Sequence, residues 1–154
     1  MLHVILYQPE IPPNTGNIIR LCANAKARLH LIGPLGFVLD DARVRRAGLD
    51  YDELSDVRHY VNWQAFMNQN PAASIWAFST HGSKVHTKAP INDGDCLLFG
   101  PETRGLPGDL LDKIGPDRVL RIPMQENSRS LNLSNTVAIG LYDGLRQLDF
   151  PELR

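Results

Sequence analysis

Short runs of apolar residues alternate along the chain with segments in which apolar residues recur at helical spacing. Five such runs predict buried strands: HVILY, RLHLIG, SIWAFST, DCLLFG and RVLRIPM, at residues 3–7, 28–33, 74–80, 95–100 and 118–124. Helices are predicted at about 17–27, 40–48, 63–70, 108–114 and 133–148. The alternation predicts an α/β fold: a mainly parallel sheet with helices on both faces.

Length and composition are those of an ordinary globular protein. The 154 residues are 43% hydrophobic and 21% charged, which predicts a single domain over residues 1–154. No apolar run approaches the ~20 residues that span a bilayer, and MLHVILYQPE lacks the basic start of a signal peptide. Both cysteines, Cys22 and Cys96, lie in apolar surroundings. We therefore expect a cytoplasmic protein with free core thiols, no membrane partner and no metal.

The net charge of -1 argues against a general polyanion binder but allows a local basic patch. Arg43 and Arg46 share one face of a predicted helix, and Arg129 falls in a predicted loop. These arginines are candidates for contacts with nucleic acid phosphates. An ordinary solvated helix end explains the pair on the helix equally well.

Polar stretches follow three of the predicted strands, where open parallel sheets bind their ligands. In NTGNIIR, residues 14–20, Asn14 or Thr15 can cap the next helix, Gly16 permits a tight turn, and Arg20 lies one turn into the helix. A cap followed by a surface arginine is the alternative. Neither the dinucleotide fingerprint nor the P-loop pattern is present.

The second stretch, LLFGPETRGL at residues 97–106, runs from an apolar strand into a charged turn. Gly100 would let a ligand approach the backbone, beside Glu102 and Arg104. A plain turn with exposed charges is the alternative. The third stretch, SRSLNLSN at residues 128–135, holds more small polar residues than helix capping requires, which favours a polar pocket over capping alone.

Taken together and in this order, the three stretches resemble the motifs of the SPOUT class of RNA methyltransferases. The resemblance covers essentially the whole chain. LYQPEIPPNTGNIIRLCAN, DDARVRRAGLDY and FGPETRGLP are most similar to members that methylate the ribose of the tRNA wobble nucleotide. The resemblance implies a deep C-terminal trefoil knot, which the periodicity of the chain cannot predict. It also implies a homodimer with the active site near the subunit interface.

The resemblance further implies a cofactor, a reaction and the residues for each. S-adenosylmethionine donates a methyl group to the 2′-hydroxyl of the wobble cytidine or uridine, leaving S-adenosylhomocysteine, and the partner is the tRNA anticodon stem-loop. The positions that match cofactor contacts are Phe78, Gly100, Ile122 and Ser130, with Leu131 and Leu133 beside them.

Arg20 matches the catalytic position of that class. Because a guanidinium stays protonated, we expect Arg20 to clamp a phosphate or stabilise the developing alkoxide rather than accept a proton. Ser130 and Asn132 are expected to position the ribose.

Three alternatives remain open from the sequence. The chain could be a non-catalytic RNA-binding module of the same fold, or a methyltransferase for another tRNA or rRNA position. From the strand and helix pattern alone, it could also be a small α/β protein that binds ATP or NAD.

Overall fold

The computed structural model describes residues 1–54 and 56–154, and these contain one sheet of seven parallel strands. The strands are β1 (His3–Tyr7), β2 (Arg28–Ile32), β3 (Val57–Tyr60), β4 (Ile75–Phe78), β5 (Lys84–Val85), β6 (Cys96–Phe99) and β7 (Val119–Arg121). Their order across the sheet is β3-β2-β1-β6-β4-β7-β5, and every neighbouring pair is parallel. The predicted parallel sheet is confirmed.

Helices cover both faces of the sheet, as predicted. They are α1 (Pro12–Asn24), α2 (Asp41–Arg46), α3 (Tyr51–Leu54), α4 (Trp63–Gln69), α5 (Gly108–Ile114) and α6 (Leu133–Gln147). Successive residues of β1 point to opposite faces: Val4 and Leu6 pack in the core under α1 and α6, and Ile5 packs in the core under α4 and α5. The central strands β4 and β6 are apolar throughout, because both of their faces are buried. No helix among the described residues is long and apolar enough to cross a membrane.

The start of α1 differs from the prediction. The helix begins at Pro12 rather than near residue 17, because a proline is well suited to a first helical position, where its missing N–H is not needed. Its N-cap is Ile11, whose side chain makes no capping hydrogen bond. Asn14 and Thr15, predicted as caps, lie buried inside the first turn.

Gly16 is also inside α1 and makes no tight turn. A Cβ atom at this position would lie 3.4 Å from the Cβ atom of Ala47, just after α2. The earlier start of α1 also moves Arg20 from the first helical turn to a later one. Gly16 thus lies where α1 faces Ala47, and a Cβ atom there would make an ordinary van der Waals contact.

Three elements at the margins of the fold were not predicted. The outer strand β3 has the exposed residues Arg58 and His59 at its centre, so it lacks a continuous apolar run. At the opposite edge, β5 has two residues, and α3 has four. β1 and α5 have the predicted bounds, and apart from α1 the other predicted elements are confirmed with shorter bounds.

A stacked aromatic pair lies beneath α6. The Phe78 and Phe99 rings have centroids 4.7 Å apart and planes 21° apart. Gly140 allows the helix to lie on them, because a Cβ atom there would come within 2.8 Å of Phe78 Cζ and 3.3 Å of Phe99 Cζ. Both rings are buried and cannot move aside easily.

We expect Gly140→Ala to lower the thermal unfolding midpoint, although alanine is the better helix former by about 1 kcal/mol. Overpacking against two rigid rings costs about 1–3 kcal/mol and outweighs that gain. Gly144→Ala in the same helix is the matched control, because its Cβ atom would meet the flexible end of Leu2. Calorimetry of both variants tests the prediction, and a larger loss for Gly144→Ala would contradict it.

A partly buried chain of hydrogen bonds crosses β1, β2 and β3, with the buried His30 at its centre. His3 Nδ1 lies 2.9 Å from His30 Nε2, and His30 Nδ1 lies 3.0 Å from Tyr60 Oη. Burial, with the nearby His3 and Arg28, lowers the pKa of His30 to about 4. His30 is therefore neutral in the folded protein at pH 5, where an unfolded histidine takes up a proton.

We therefore expect the free energy of unfolding to fall by about 2 kcal/mol between pH 7.5 and pH 5 on account of His30 alone. The unfolded state binds more protons over this range, so stability rises with pH until the ordinary histidine pKa is passed. Urea titrations at both pH values measure the difference. His30→Gln should flatten the pH dependence and His81→Gln, at an exposed position, should not. Equal slopes for wild type and His30→Gln would contradict the prediction.

Candidate active site

Four segments meet at the carboxyl ends of the neighbouring strands β1, β6, β4 and β7. They enclose a cavity of about 680 Å³, which also reaches the start of α6. Asn132 lines this cavity, and so do all six residues that were predicted to contact the cofactor: Phe78, Gly100, Ile122, Ser130, Leu131 and Leu133. The structure thus brings the second and third motif stretches together around one space.

Apolar and polar groups divide the walls of this cavity. The stacked Phe78 and Phe99 rings provide a buried aromatic surface. Ser130 and Asn132 provide exposed polar side chains to the same cavity. Such a mixed cavity can accept a ligand that has both a large apolar part and hydrogen-bonding groups.

The loop after β6 folds back onto its own first residue. A Cβ atom at Gly100 would lie 2.5 Å from the Leu106 nitrogen and 2.6 Å from the Gly105 carbonyl carbon. Gly105 has a φ of +65° and donates its N–H to the Pro101 carbonyl over 2.9 Å. Gly100 is thus needed for the close packing of its own loop, and it also lines the cavity, where a ligand contact to its backbone stays a prediction.

Two glutamates connect this loop with the loop after β1. The Glu102 carboxylate accepts hydrogen bonds from the backbone N–H groups of Glu10 (2.7 Å) and Ile11 (3.0 Å). In the opposite direction, the Glu10 carboxylate accepts from the Thr103 N–H (2.9 Å) and hydroxyl (2.8 Å). These two bonds from Thr103, with Arg104 nearby, lower the pKa of Glu10. The interaction is reciprocal, so the two loops hold each other in place.

Asn14 extends this network to α6. Its amide nitrogen lies 3.4 Å from Glu102 Oε1, and its amide oxygen accepts a hydrogen bond from Asn132 Nδ2 over 3.0 Å. Asn132 is also the N-cap of α6, because its side-chain oxygen accepts from the Ser134 N–H (2.9 Å) and hydroxyl (2.6 Å). All three motif stretches thus belong to one hydrogen-bonded network. Asn14 was predicted as a possible helix cap, so this function was missed.

The predicted catalytic arginine lies outside the cavity. Arg20 does not line it and instead faces the segment that follows α2. Its Nη2 atom donates to the Gly48 carbonyl over 2.5 Å, and its Nε atom donates to Glu53 Oε1 over 3.2 Å. The structure therefore separates Arg20 from Ser130 and Asn132 within one chain.

The predicted RNA-binding arginines are exposed in two places. Arg43 and Arg46 lie on α2, whose first turn is capped by the Asp40 carboxylate. Arg129 lies in the long connection between β7 and α6, where the Ser128 hydroxyl donates to the Gln125 carbonyl over 2.6 Å. All three side chains are accessible to a large ligand.

The cysteines are buried and unpaired, as predicted. Burial raises the pKa of the Cys22 thiol to about 12, and burial together with Asp95 raises that of Cys96 to about 11. Both thiols stay protonated at neutral pH, which excludes them as nucleophiles. Among residues 1–54 and 56–154, no cluster of histidine, cysteine, aspartate and glutamate is arranged to hold a metal ion.

Known sequences match the chain over nearly its full length. Residues 1–142 match the SpoU rRNA methylase family. A tRNA (cytidine(34)-2'-O)-methyltransferase of Saccharophagus degradans is 57% identical over 150 residues, which cover 97% of each chain. A protein of the same name from Escherichia coli K12 is 51% identical over 151 residues, covering 98% of this chain and 96% of that one.

Solved structures agree with these matches. A structure that concerns the 2-OH methylation of C/U34 on tRNA is similar with a TM-score of 0.89 at 45% identity, covering 97% of both chains. The SpoU methyltransferase AviRb from Streptomyces viridochromogenes, in complex with AdoMet, has a TM-score of 0.83 at 25% identity, covering 97% of this chain and 61% of that one. The predicted resemblance to SPOUT methyltransferases is thus confirmed, and the chain belongs to the SpoU rRNA methylase family.

Proposed function

We propose that this chain transfers a methyl group from S-adenosylmethionine to the ribose 2′-hydroxyl of the wobble nucleotide of tRNA, with cytidine or uridine as acceptor. The observation that carries the proposal is the cavity that the motif stretches surround at the strand ends. Relatives about half identical over nearly the whole chain are named for cytidine-34 2′-O-methylation, which supports the same target here. The whole chain acts as one domain, in the cytoplasm.

The cavity residues fit S-adenosylmethionine. Its adenosyl group needs apolar contacts, which Phe78, Ile122 and Leu133 offer, and its polar groups need hydrogen-bond partners, which Ser130 and the backbone at Gly100 and Leu131 offer. When bound, the cofactor would supply a methyl group on a positively charged sulfur. The neutral thioether that remains after the transfer is a good leaving group. A family member in complex with AdoMet supports this cofactor, and S-adenosylhomocysteine is the product.

The protein's own contribution is position and electrostatics. Ser130 and Asn132 orient the ribose, and the network through Asn14 keeps Asn132 in one place. The Arg20 guanidinium stays protonated, so it binds a phosphate next to the target ribose or stabilises the developing alkoxide. Arg43, Arg46 and Arg129 bind further phosphates of the anticodon stem-loop.

We propose a homodimer in which Arg20 of one subunit completes the cavity of the other. Arg20 is exposed and lies outside the cavity of its own chain. On α6, which packs beside α1, the exposed apolar side chains of Ile139 and Tyr142 share one face and form a surface that a second subunit can cover.

We also propose that the connection between β7 and α6 forms the deep trefoil knot that the family resemblance implies.

Methyl transfer tests the proposed function directly. Purified protein is incubated with labelled S-adenosylmethionine and tRNA that lacks the wobble methylation, and the RNA is digested to nucleosides. We expect label in 2′-O-methylcytidine or 2′-O-methyluridine that maps to the wobble nucleotide. Label at another position would keep the enzyme class and reject the target, and no label on any tRNA would reject the enzymatic function.

We expect Gly100→Ala to weaken S-adenosylmethionine binding by more than about 10-fold, because a Cβ atom cannot fit against the rigid backbone of residues 105 and 106. Gly108→Ala is the matched control, since Gly108 lines the same cavity and a Cβ atom there meets nothing within 4 Å. Isothermal titration of both variants measures the effect. Equal affinities in the two variants would contradict the role assigned to Gly100.

A further inference from the structure

We infer that Glu53 is a positioning residue for Arg20: it holds the guanidinium in the orientation that the methyl transfer requires. The inference rests on the proposed function, in which Arg20 meets the RNA. Glu53 belongs to the segment of residues 40–54, which also carries Arg43 and Arg46. No motif in the sequence marks Glu53 for this role.

Arg20 is held from two directions by this segment. Nε donates to Glu53 Oε1 and Nη2 donates to the Gly48 carbonyl, so two of its three nitrogen atoms have fixed partners. A planar guanidinium with two nitrogens held can rotate very little. Half of the side chain, 50%, remains exposed. Nη1 is therefore available to a phosphate or a ribose oxygen while the orientation of the group is already set.

Glu53 is itself held firmly, which a positioning residue must be. Its Oε2 atom accepts from the Asp50 N–H over 2.9 Å, and Asp50 Oδ1 accepts from the Glu53 N–H over 3.0 Å. This reciprocal pair is a capping box at the start of α3. The Glu53 side chain is only 19% exposed. One carboxylate oxygen thus completes the box and the other is directed at Arg20.

The backbone shape at Gly48 is consistent with this arrangement. Gly48 has a φ of +70°, and a Cβ atom there would lie 3.3 Å from Arg20 Nη2. Gly16, one helical turn before Arg20, packs against Ala47. Gly48 thus supplies the backbone turn and the space at the point where Arg20 crosses from α1 to the end of α2.

The contact between Glu53 and Arg20 joins Arg20 to the segment proposed to bind RNA. Arg43 and Arg46 lie on α2 directly before Gly48, so the arginines proposed for RNA and the partners of Arg20 are parts of one short segment. Partly exposed ion pairs contribute little to the stability of a fold. The main consequence of the Glu53 contact is therefore the position of Arg20.

Glu53→Gln tests the inference. Glutamine can still complete a capping box, but its amide has one acceptor oxygen and cannot serve both Asp50 and Arg20. We expect kcat with tRNA to fall by about 10-fold through misplacement of Arg20. S-adenosylmethionine affinity should stay within about twofold, because Glu53 does not line the cavity. Glu53→Asp, which keeps both acceptors and the charge, should recover part of the lost rate.

Glu152→Gln is the matched control. It removes the carboxylate of another ion pair, Lys26–Glu152, whose atoms lie 2.9 Å apart just beyond the end of α1. Thermal unfolding of both variants shows whether stability changes. We expect Glu152→Gln to keep the wild-type kcat, and an equal loss of rate in both variants would overturn a specific role for Glu53.

A double-mutant cycle separates positioning from a structural effect. Single-turnover rates with excess enzyme are measured for Glu53→Gln, Arg20→Ala and the double variant. We expect Glu53→Gln to cause no further loss once Arg20 is removed. An equal loss in both backgrounds, or a wild-type kcat for Glu53→Gln, overturns the inference while the proposed function stands. A wild-type protein that methylates no tRNA overturns both.

Discussion

The carboxylate of Glu102 is the interaction on which the arrangement of the site depends. It accepts two backbone N–H groups from the loop after β1 and lies beside the Asn14 amide, which binds the N-cap residue of α6. A single carboxylate binds both of these backbone N–H groups through charge-assisted hydrogen bonds, which are stronger than neutral ones. One side chain thus fixes the first loop against the second, and through Asn14 it also reaches the third.

Close backbone packing is the second constraint around the cavity. Gly100 receives the backbone of its own loop, and Gly140 receives the rings of Phe78 and Phe99. Gly82, after β4, lies against the backbone of β7, where a Cβ atom would come within 2.5 Å of the Leu120 carbonyl carbon. Each position admits only glycine without displacement of rigid neighbours. The walls of the cavity are therefore set by backbone and aromatic rings that have little freedom to move.

Three arginines lie apart from the cavity. Arg20, Arg43 and Arg46 lie on or against the segment between β2 and β3. In the homodimer proposed above, a second subunit would bring these three arginines to the cavity. Packing of backbone and aromatic rings dominates at the cavity, whereas exposed arginine side chains lie on the segment between β2 and β3.

The amino-acid sequence predicted the central strands and most helices, because local apolar runs report burial. It placed a site at one edge of the sheet through the motif stretches that follow strands, and the residues of the cavity wall through the family resemblance of those stretches. It did not determine the partners of Asn14, which lie 88 and 118 residues away at Glu102 and Asn132. Nor did it show that Arg20 faces Glu53 rather than the cavity. Periodicity records which side of an element is buried and carries no information about which distant residue lies opposite, so tertiary packing decided those contacts.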